Sequence, residues 1–424
     1  MIRIIKADGT AELELIEALR SRAAEIGEEI NRTAADMMAD VKARGYEAVR
    51  EYSVKLDGAE PREFSDHELQ AAYDACDPGL IKAMEHAAGN IRDYNEHLLC
   101  RTLEWANPDG GTVGRVVRGL TRVGIYVPGG TAAYPSSVLM NAIPAKVAGV
   151  EEVIMVTPPT ENLNQAVLAA AKIAGVDRVI GVGGVQAVAA LIYGAGFIPR
   201  VDKLVGPGSA YVAAAKRMAY GTVDIDMVAG PSEILIVADE TANPKFVAAD
   251  LMSQAEHDKL ASPMLLTTSP ELAEAVDREL ARQMGYLERS EIMEQSFANF
   301  GAVIICDTLD RCVELANIIA PEHLEICTAE PRALLPAVKN AGAVFLGHWA
   351  PEPLGDYFAG PAHILPTSGT ARFFSPLSVD SFLKMMSVME FDRESLAGIH
   401  EEIERFAEVE RLTAHANALK VRFE

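Results

Sequence analysis

From Arg122 onward, short β-branched runs alternate with alanine-rich stretches of helical spacing, and this restricts the fold more than any other feature. GIYVPGG leads to SSVLMNAIPAKVAGV, EEVIMVTPP to NQAVLAAAKIAGV, DRVIGVGG to VQAVAALIYGAG, and DKLVGPG to SAYVAAAKRMAYG. Strand–helix grammar of this kind implies a parallel sheet with helices on its faces. After SEILIVAD the pattern resumes with a helix to His257, then PMLLTTS, LAEAVDREL, AVIICD, DRCVELANIIA, HLEICT and AVFLG. Two open α/β units in series are predicted. Before them, residues 12 to 100 carry apolar positions at three- and four-residue spacing, the helical period. After Ser378 no strand is expected, and DRESLAGIHEEIERFAEVERL reads as one charged amphipathic helix.

A chain of 424 residues supports more than one core. Its 38 basic and 61 acidic residues leave a net charge of −23, which repels phosphate backbones and argues against nucleic-acid binding. The five cysteines (Cys76, Cys100, Cys306, Cys312 and Cys327) form no CxxC pair, which suits a reducing cytoplasm. Cys306 and Cys327 lie in strand-like runs and are expected to be buried. The N-terminus lacks the uninterrupted apolar core of a signal peptide. Residues 125 to 145 hold three prolines, and residues 180 to 199 hold Gln186 and five glycines, so neither stretch reads as a membrane span. A soluble, cytoplasmic protein is expected.

Three junctions are rich in glycine: PGG at 128 to 130, VGG at 182 to 184 and GPG at 206 to 208. Each places backbone N–H groups at a helix start, where a pyrophosphate can sit, although the GxGxxG fingerprint is absent. The alternative is that the glycines only permit tight turns. Polar residues gather elsewhere. DLMSQAEHD sets Gln254 and His257 three apart near a helix end, on one face. APEHLEI puts Glu322 beside His323 at the entrance to a strand, a carboxylate and an imidazole able to handle two protons. PLGDYFAGPAHILPT carries Asp356 and His363 in a loop of two glycines and three prolines. ERLTAHANALK carries Glu410 and His415, five residues apart, which on one straight helix would diverge by roughly 140°. A fresh helix capped by Thr413 would let them converge. Gln254, His257, Asp356 and His415 make an N/O ligand set, but their spacing alone is no metal motif.

Longer blocks carry a resemblance. RVGIYVPGGTAAYPSSVLMNAIPAKVAGV, IDMVAGPSEILIVADETANP, FVAADLMSQAEHD, APEHLEI, LGDYFAGPAHILPTSGTARF and RLTAHANAL resemble histidinol dehydrogenases, in order, from about residue 20 to the end. The resemblance implies an enzyme dependent on zinc and NAD that oxidises L-histidinol to L-histidinal and then to L-histidine, the last steps of histidine biosynthesis. It also implies an intertwined homodimer of two incomplete Rossmann-like units with small helical N- and C-terminal segments. The implied division is 1–24 as a helical segment, 25–124 with 236–377 as one α/β domain, 125–235 as the NAD-binding domain, and 378–424 as a tail completing the partner's site. By motif, Gln254, His257, Asp356 and His415 are similar to the zinc ligands, and these four also bear on substrate. Glu322 and His323 match the catalytic pair, with His323 also contacting substrate. Ser232, His363 and Glu410 match contacts to histidinol, while Tyr126 and Gln186 match contacts to NAD. The third cofactor contact is usually the Asn of GPGN, and here it is Ser209. GPAH and SPLSV replace the usual GPNH and SGLSV.

The same residues admit rival readings. A related enzyme on this scaffold would oxidise another polar alcohol, such as a sulfonated diol, for which Glu410 is poorly suited. A metal-dependent hydrolase would use Glu322 as base without NAD. A binding protein would leave the Glu322–His323 pair unexplained.

Overall fold

The computed structural model describes residues 2–22, 27–129, 134–159, 163–228 and 230–424. Gly130, the last residue of the PGG junction, lies outside them. Two six-stranded sheets dominate. Sheet I runs Arg3–Lys6, Ala302–Ile305, Ser262–Thr267, Glu233–Ala238, His323–Cys327, Ala343–Leu346, and every pairing is parallel. Sheet II runs Arg62–Phe64, Arg178–Gly181, Glu152–Thr157, Arg122–Tyr126, Lys203–Val205, Asp224–Ile225, and only its Arg62–Phe64 edge is antiparallel. The two parallel α/β units expected from the alternation are present.

Each sheet is covered on both faces, which is why its strands read as near-continuous apolar runs. Helices Pro244–Ala255 and Pro270–Met284 cover one face of sheet I, while Leu15, Ile16 and Leu19 join Cys312 and Leu315 on the other. Local signals start several of these helices. Asn243, Ser269 and Thr308 each accept a backbone N–H of the first turn, as N-cap residues do. Cys306 and Cys327 are buried, and all five cysteines are free thiols.

The packing divides the chain differently from the expected boundaries. Helices between Glu28 and Leu98 pack on sheet II, where Met37, Val49, Met84 and Ile91 join its two cores, and not on the sheet built by 236–377. Residues 1–24 are not solely helical, because Arg3–Lys6 is an edge strand of sheet I. Nor do strands vanish after Ser378. Leu383–Glu390 pairs antiparallel with Thr112–Gly119, which pairs with Leu103–Ala106 in a third, three-stranded sheet. The stretch read as one amphipathic helix is two, Arg393–Ala397 and His400–Val409. No helix among the described residues is long and apolar enough to cross a membrane.

Candidate active site

His323 is the first residue of its strand, which lies next to the edge strand of sheet I, and it pairs with Ile234 on one side and Ala343 on the other. Its Nδ1 lies 2.9 Å from the backbone carbonyl of Glu233, a contact that keeps the proton on Nδ1. The Glu233 N–H in turn donates to Glu322 Oε2 at 2.9 Å. One residue of the neighbouring strand therefore anchors both members of the pair. The carboxylate and imidazole are 3.7 Å apart and both are buried.

The other ring nitrogen, Nε2, faces two carboxylates: Asp356 Oδ1 at 3.7 Å and Glu352 Oε1 at 3.9 Å. Asp356 does not lie in a loop. It sits on the short helix Glu352–Tyr357, one turn after Glu352, so the two acids share a face. Glu352 is the residue that the sequence reading missed, and its only signal was that four-residue spacing. Its side chain is buried, with Oε2 3.0 Å from Ser253 Oγ, and its N–H donates to Glu325 Oε1 at 2.8 Å.

Burial and charge set the protonation of this cluster. Burial pushes Glu322 up to about 8, against the pull of His323 and the Glu233 N–H. It also disfavours an imidazolium at His323, but Glu322, then Asp356 and Glu352, outweigh it and raise the ring to about 10. Burial would raise Asp356 too, yet His323 and His363 hold its carboxyl at about 2. Glu352 goes the opposite way, to about 8, through burial and then the charge of Asp356. Asp356 is thus firmly ionised, while Glu322 and Glu352 are pushed towards their protonated forms and His323 towards imidazolium. Glu322 and His323 therefore act as bases in the fraction that has released its proton, which grows as pH rises.

Gln254 lies in the last turn of Pro244–Ala255, and His257 follows just past the helix end, with its N–H on the Gln254 carbonyl at 3.2 Å. Gln254 is 1% exposed, and its Oε1 has no hydrogen-bond partner, an arrangement that costs stability unless something accepts that oxygen. His257 stands in the wall of a cleft of about 700 Å³ shared with Glu256, Arg289, Tyr134, Ser136 and Tyr357. Solvent reaches it, yet the surrounding protein keeps the ring below its ordinary pKa, against the opposing charge of Asp356. A neutral imidazole, an unsatisfied amide oxygen and an ionised carboxylate are donors that suit zinc. Among the described residues, His323, Glu352 and Asp356 also bring one ligand atom each within 4.8 Å of one another. A second cavity of about 550 Å³ opens on His323, Asp356 and His363 from the side of Phe345 and Leu377.

His363 links the two halves of the molecule, with Nδ1 2.9 Å from the Asp356 carbonyl and Nε2 3.0 Å from Ser137 Oγ. Ser232 precedes Glu233 and is half-buried beside the acid–base pair. Glu410 and His415 are not brought to this place. Both are exposed on the C-terminal tail, where Thr413–Lys420 packs on His400–Val409. The helix does break between them, at Arg411 with φ +61, but the cap position belongs to Leu412 and Thr413 is the first helical residue.

The residues expected to meet a nucleotide line the ends of sheet II. The Tyr126 hydroxyl, at the end of its strand, accepts the Gly184 N–H at 3.0 Å. Gln186 is fully buried in the first turn of Gly184–Tyr193, a helix of otherwise apolar side chains. Ser209 is exposed at the start of Ala210–Ala219, and its side chain does not cap that helix. Gly206 needs to be glycine: φ is +109, and a Cβ would lie 2.2 Å from the Tyr126 carbonyl.

Two covered parallel sheets, a buried glutamate–histidine pair and an adjacent set of N and O donors define an α/β enzyme with an acid–base centre beside a candidate metal position. The histidinol dehydrogenase family model matches residues 20–423. The chain is 50% identical to the histidinol dehydrogenase of Clostridium acetobutylicum over 428 residues, covering 100% of this chain and 99% of that protein. It is 45% identical to that of Lactococcus lactis subsp. lactis, covering all of both. The crystal structure of histidinol dehydrogenase from Elizabethkingia anophelis superposes with a TM-score of 0.94 at 35% identity, covering 100% of this chain and 98% of that one. The chain belongs to the histidinol dehydrogenase family, and it is an oxidoreductase.

Proposed function

We propose that the protein oxidises L-histidinol to L-histidinal and then to L-histidine in the cytoplasm, with NAD as oxidant and zinc in the site, as the last steps of histidine biosynthesis. The observation that carries this reading is the Glu322–His323 pair, fixed on Glu233 and facing Asp356, with the unsatisfied Gln254 amide one residue from Ser253, which reaches Glu352. Gln254, His257 and Asp356 would hold the metal, with the partner's His415 as fourth ligand in a homodimer. Bound there, zinc supplies a fixed point that grips and orients the substrate. NAD accepts the hydrides, and Tyr126, Gln186 and Ser209 are the proposed contacts.

The chain's own residues move the protons. Loss of hydride from the alcohol carbon requires loss of the hydroxyl proton, which the neutral form of His323 accepts at Nε2 while the Glu233 carbonyl holds Nδ1–H in place. The aldehyde then takes up water: ionised Glu322 removes a proton from that water while His323 returns its own proton to the aldehyde oxygen, which gives the diol and leaves the imidazole neutral. His323 accepts again during the second oxidation. Ser232, His363 and the partner's Glu410 would hold the substrate, with Glu410 suited to an imidazole N–H. Both cavities beside the cluster offer room for a small polar substrate.

Reduced nicotinamide should form from histidinol in the metal-loaded protein, cease after chelation and return with zinc. Turnover that survives complete removal of metal, verified by metal analysis, would contradict the reading.

A further inference from the structure

The helix Gly184–Tyr193 opens directly after the strand Arg178–Gly181 of sheet II. A helix start at that edge of a parallel sheet commonly offers its N–H groups to a phosphate. Here the position is already filled by a side chain. Asp57 closes the distant helix Tyr46–Leu56, and its Oδ2 accepts both the Gly183 N–H, at 3.2 Å, and Gln186 Nε2, at 3.0 Å. The next N–H, of Gly184, is bound to the Tyr126 hydroxyl. An incoming phosphate would find the first two N–H groups of this turn taken and would meet a half-buried carboxylate, whose like charge repels it.

What the turn does offer is acceptors. Both hydrogen bonds of Asp57 use Oδ2, and Oδ1 makes none among the described residues. Gln186 spends its N–H on Asp57, which fixes the amide so that Oε1 is the remaining polar atom. That oxygen is buried and without a partner. Gly183 has no room for a side chain, since a Cβ would lie 2.5 Å from Pro158 Cγ and 3.1 Å from Asp57 Oδ1, so the carboxylate lies directly against the backbone of the turn. A charged oxygen and an amide oxygen beside a tyrosine hydroxyl match a group that donates hydrogen bonds. On a nicotinamide dinucleotide the group of that kind is a ribose diol, and an acidic side chain is the general means of reading one.

We propose that Asp57 reads a ribose hydroxyl of the dinucleotide, orients Gln186 for the same purpose, and by its charge rejects the 2′-phosphorylated cofactor. The proposal rests on the reading that Tyr126 and Gln186 face NAD. It makes Asp57 a specificity-determining residue contributed from outside the glycine-rich turns.

The test is Asp57→Asn, whose amide oxygen can still accept from Gly183 and Gln186 while the charge is gone. NAD and NADP are titrated calorimetrically into wild type and variant, and KM and kcat are measured with each cofactor. A hydrogen bond to a charged group accounts for about ten-fold or more in affinity, so the variant should bind NAD roughly ten-fold more weakly. NADP should lose nothing or gain, so that the NAD-to-NADP preference falls by at least about ten-fold. Asp57→Ala, measured alongside by thermal unfolding, separates the contribution of the helix cap. An unchanged NAD-to-NADP preference in Asp57→Asn would overturn the proposal and leave Asp57 as a cap, whatever happens to stability. Equal weakening of both cofactors would do the same. A wild-type protein that binds neither cofactor would instead overturn the cofactor reading, and the role of Asp57 with it.

Discussion

Glu233 gives its backbone, through one N–H and one carbonyl, to both halves of the acid–base pair. Because the anchor is main chain, variants at 322 and 323 can alter chemistry without dismantling the site. Glu322→Gln keeps an oxygen for the Glu233 N–H but cannot take a proton from water. It should spare the alcohol step and slow the aldehyde step by roughly 10²–10⁴-fold, the usual contribution of a general base. His323→Ala should impair both steps by a similar factor, since each releases a proton. Separate kinetics with histidinol and histidinal decide, and equal losses in both steps for Glu322→Gln would remove its role with water. At the GPGS turn, Ser209 is exposed and makes no cap, so Ser209→Asn has space to reach a cofactor. NAD binding should tighten by about 1 kcal/mol, one hydrogen bond, in a direct titration. No change would mean that the hydroxyl already serves. Glu322, His323 and His363 were legible as residues because each stands in a distinctive motif. Glu352 and Asp57 were not, since Glu352 acquires meaning only from its facing Asp356, and Asp57 only from a contact between residues 57 and 186.

The strand–helix alternation was readable because both faces of each main sheet are covered, which forces uninterrupted apolar strands. Leu383–Glu390 escaped that logic. Its residues are exposed or half-buried throughout, so the sequence LKMMSVME carries no pattern of one buried face. The break in the tail helix followed from Gly398, whose helix-weakening effect was masked by strong flanking periodicity. At the opposite end of the chain, the helix Ala11–Arg22 is tied to sheet I through Glu12. This carboxylate is fully buried, accepts from the Asp8 and Gly9 N–H groups, and meets Arg311 at 3.1 Å. Burial alone would raise its pKa, but those N–H groups and Arg311 outweigh it, and the folded value lies below the ordinary 4.5. A depressed carboxylate stabilises the fold above its unfolded pKa, and that contribution disappears as pH falls through the folded value. Acid titration of unfolding should therefore show a steeper loss below about pH 4.5 in wild type than in Glu12→Gln. Parallel curves for the two proteins would show that Glu12 is not part of the acid response. A second clamp holds the Gly206 turn. Buried Lys216 pairs with Asp226 and donates to the Gly206 carbonyl at 2.7 Å, while Asp226 accepts the Gly206 N–H at 2.8 Å. Lys216→Met leaves a buried carboxylate without its cation and should cost about 3–5 kcal/mol in denaturant unfolding. A loss under about 1 kcal/mol would show that the turn holds without the pair.

At the scale of the molecule, the C-terminal region presents an unusual surface. Met389, Phe406 and Val409 are 71%, 75% and 84% exposed on the third sheet and the tail that follows. Large apolar side chains at that density fit burial against a second copy, and the proposed homodimer would bring Glu410 and His415 to the partner's cluster. His257→Ala and His415→Ala should each be inactive alone. After subunit exchange, one site of each mixed dimer would carry neither defect, and activity should return towards roughly a quarter of wild type. No recovery after verified exchange would mean that each chain completes its own site.

If one site carries out two oxidations in succession, the stoichiometry of the reaction must show it. A limiting amount of histidinol is converted to completion by the zinc-loaded protein with excess NAD, while reduced nicotinamide and products are counted. Two equivalents of reduced nicotinamide and one of histidine per histidinol are expected, with no histidinal released. One equivalent with histidinal accumulating, or consumption of histidinol without reduced nicotinamide, would contradict it.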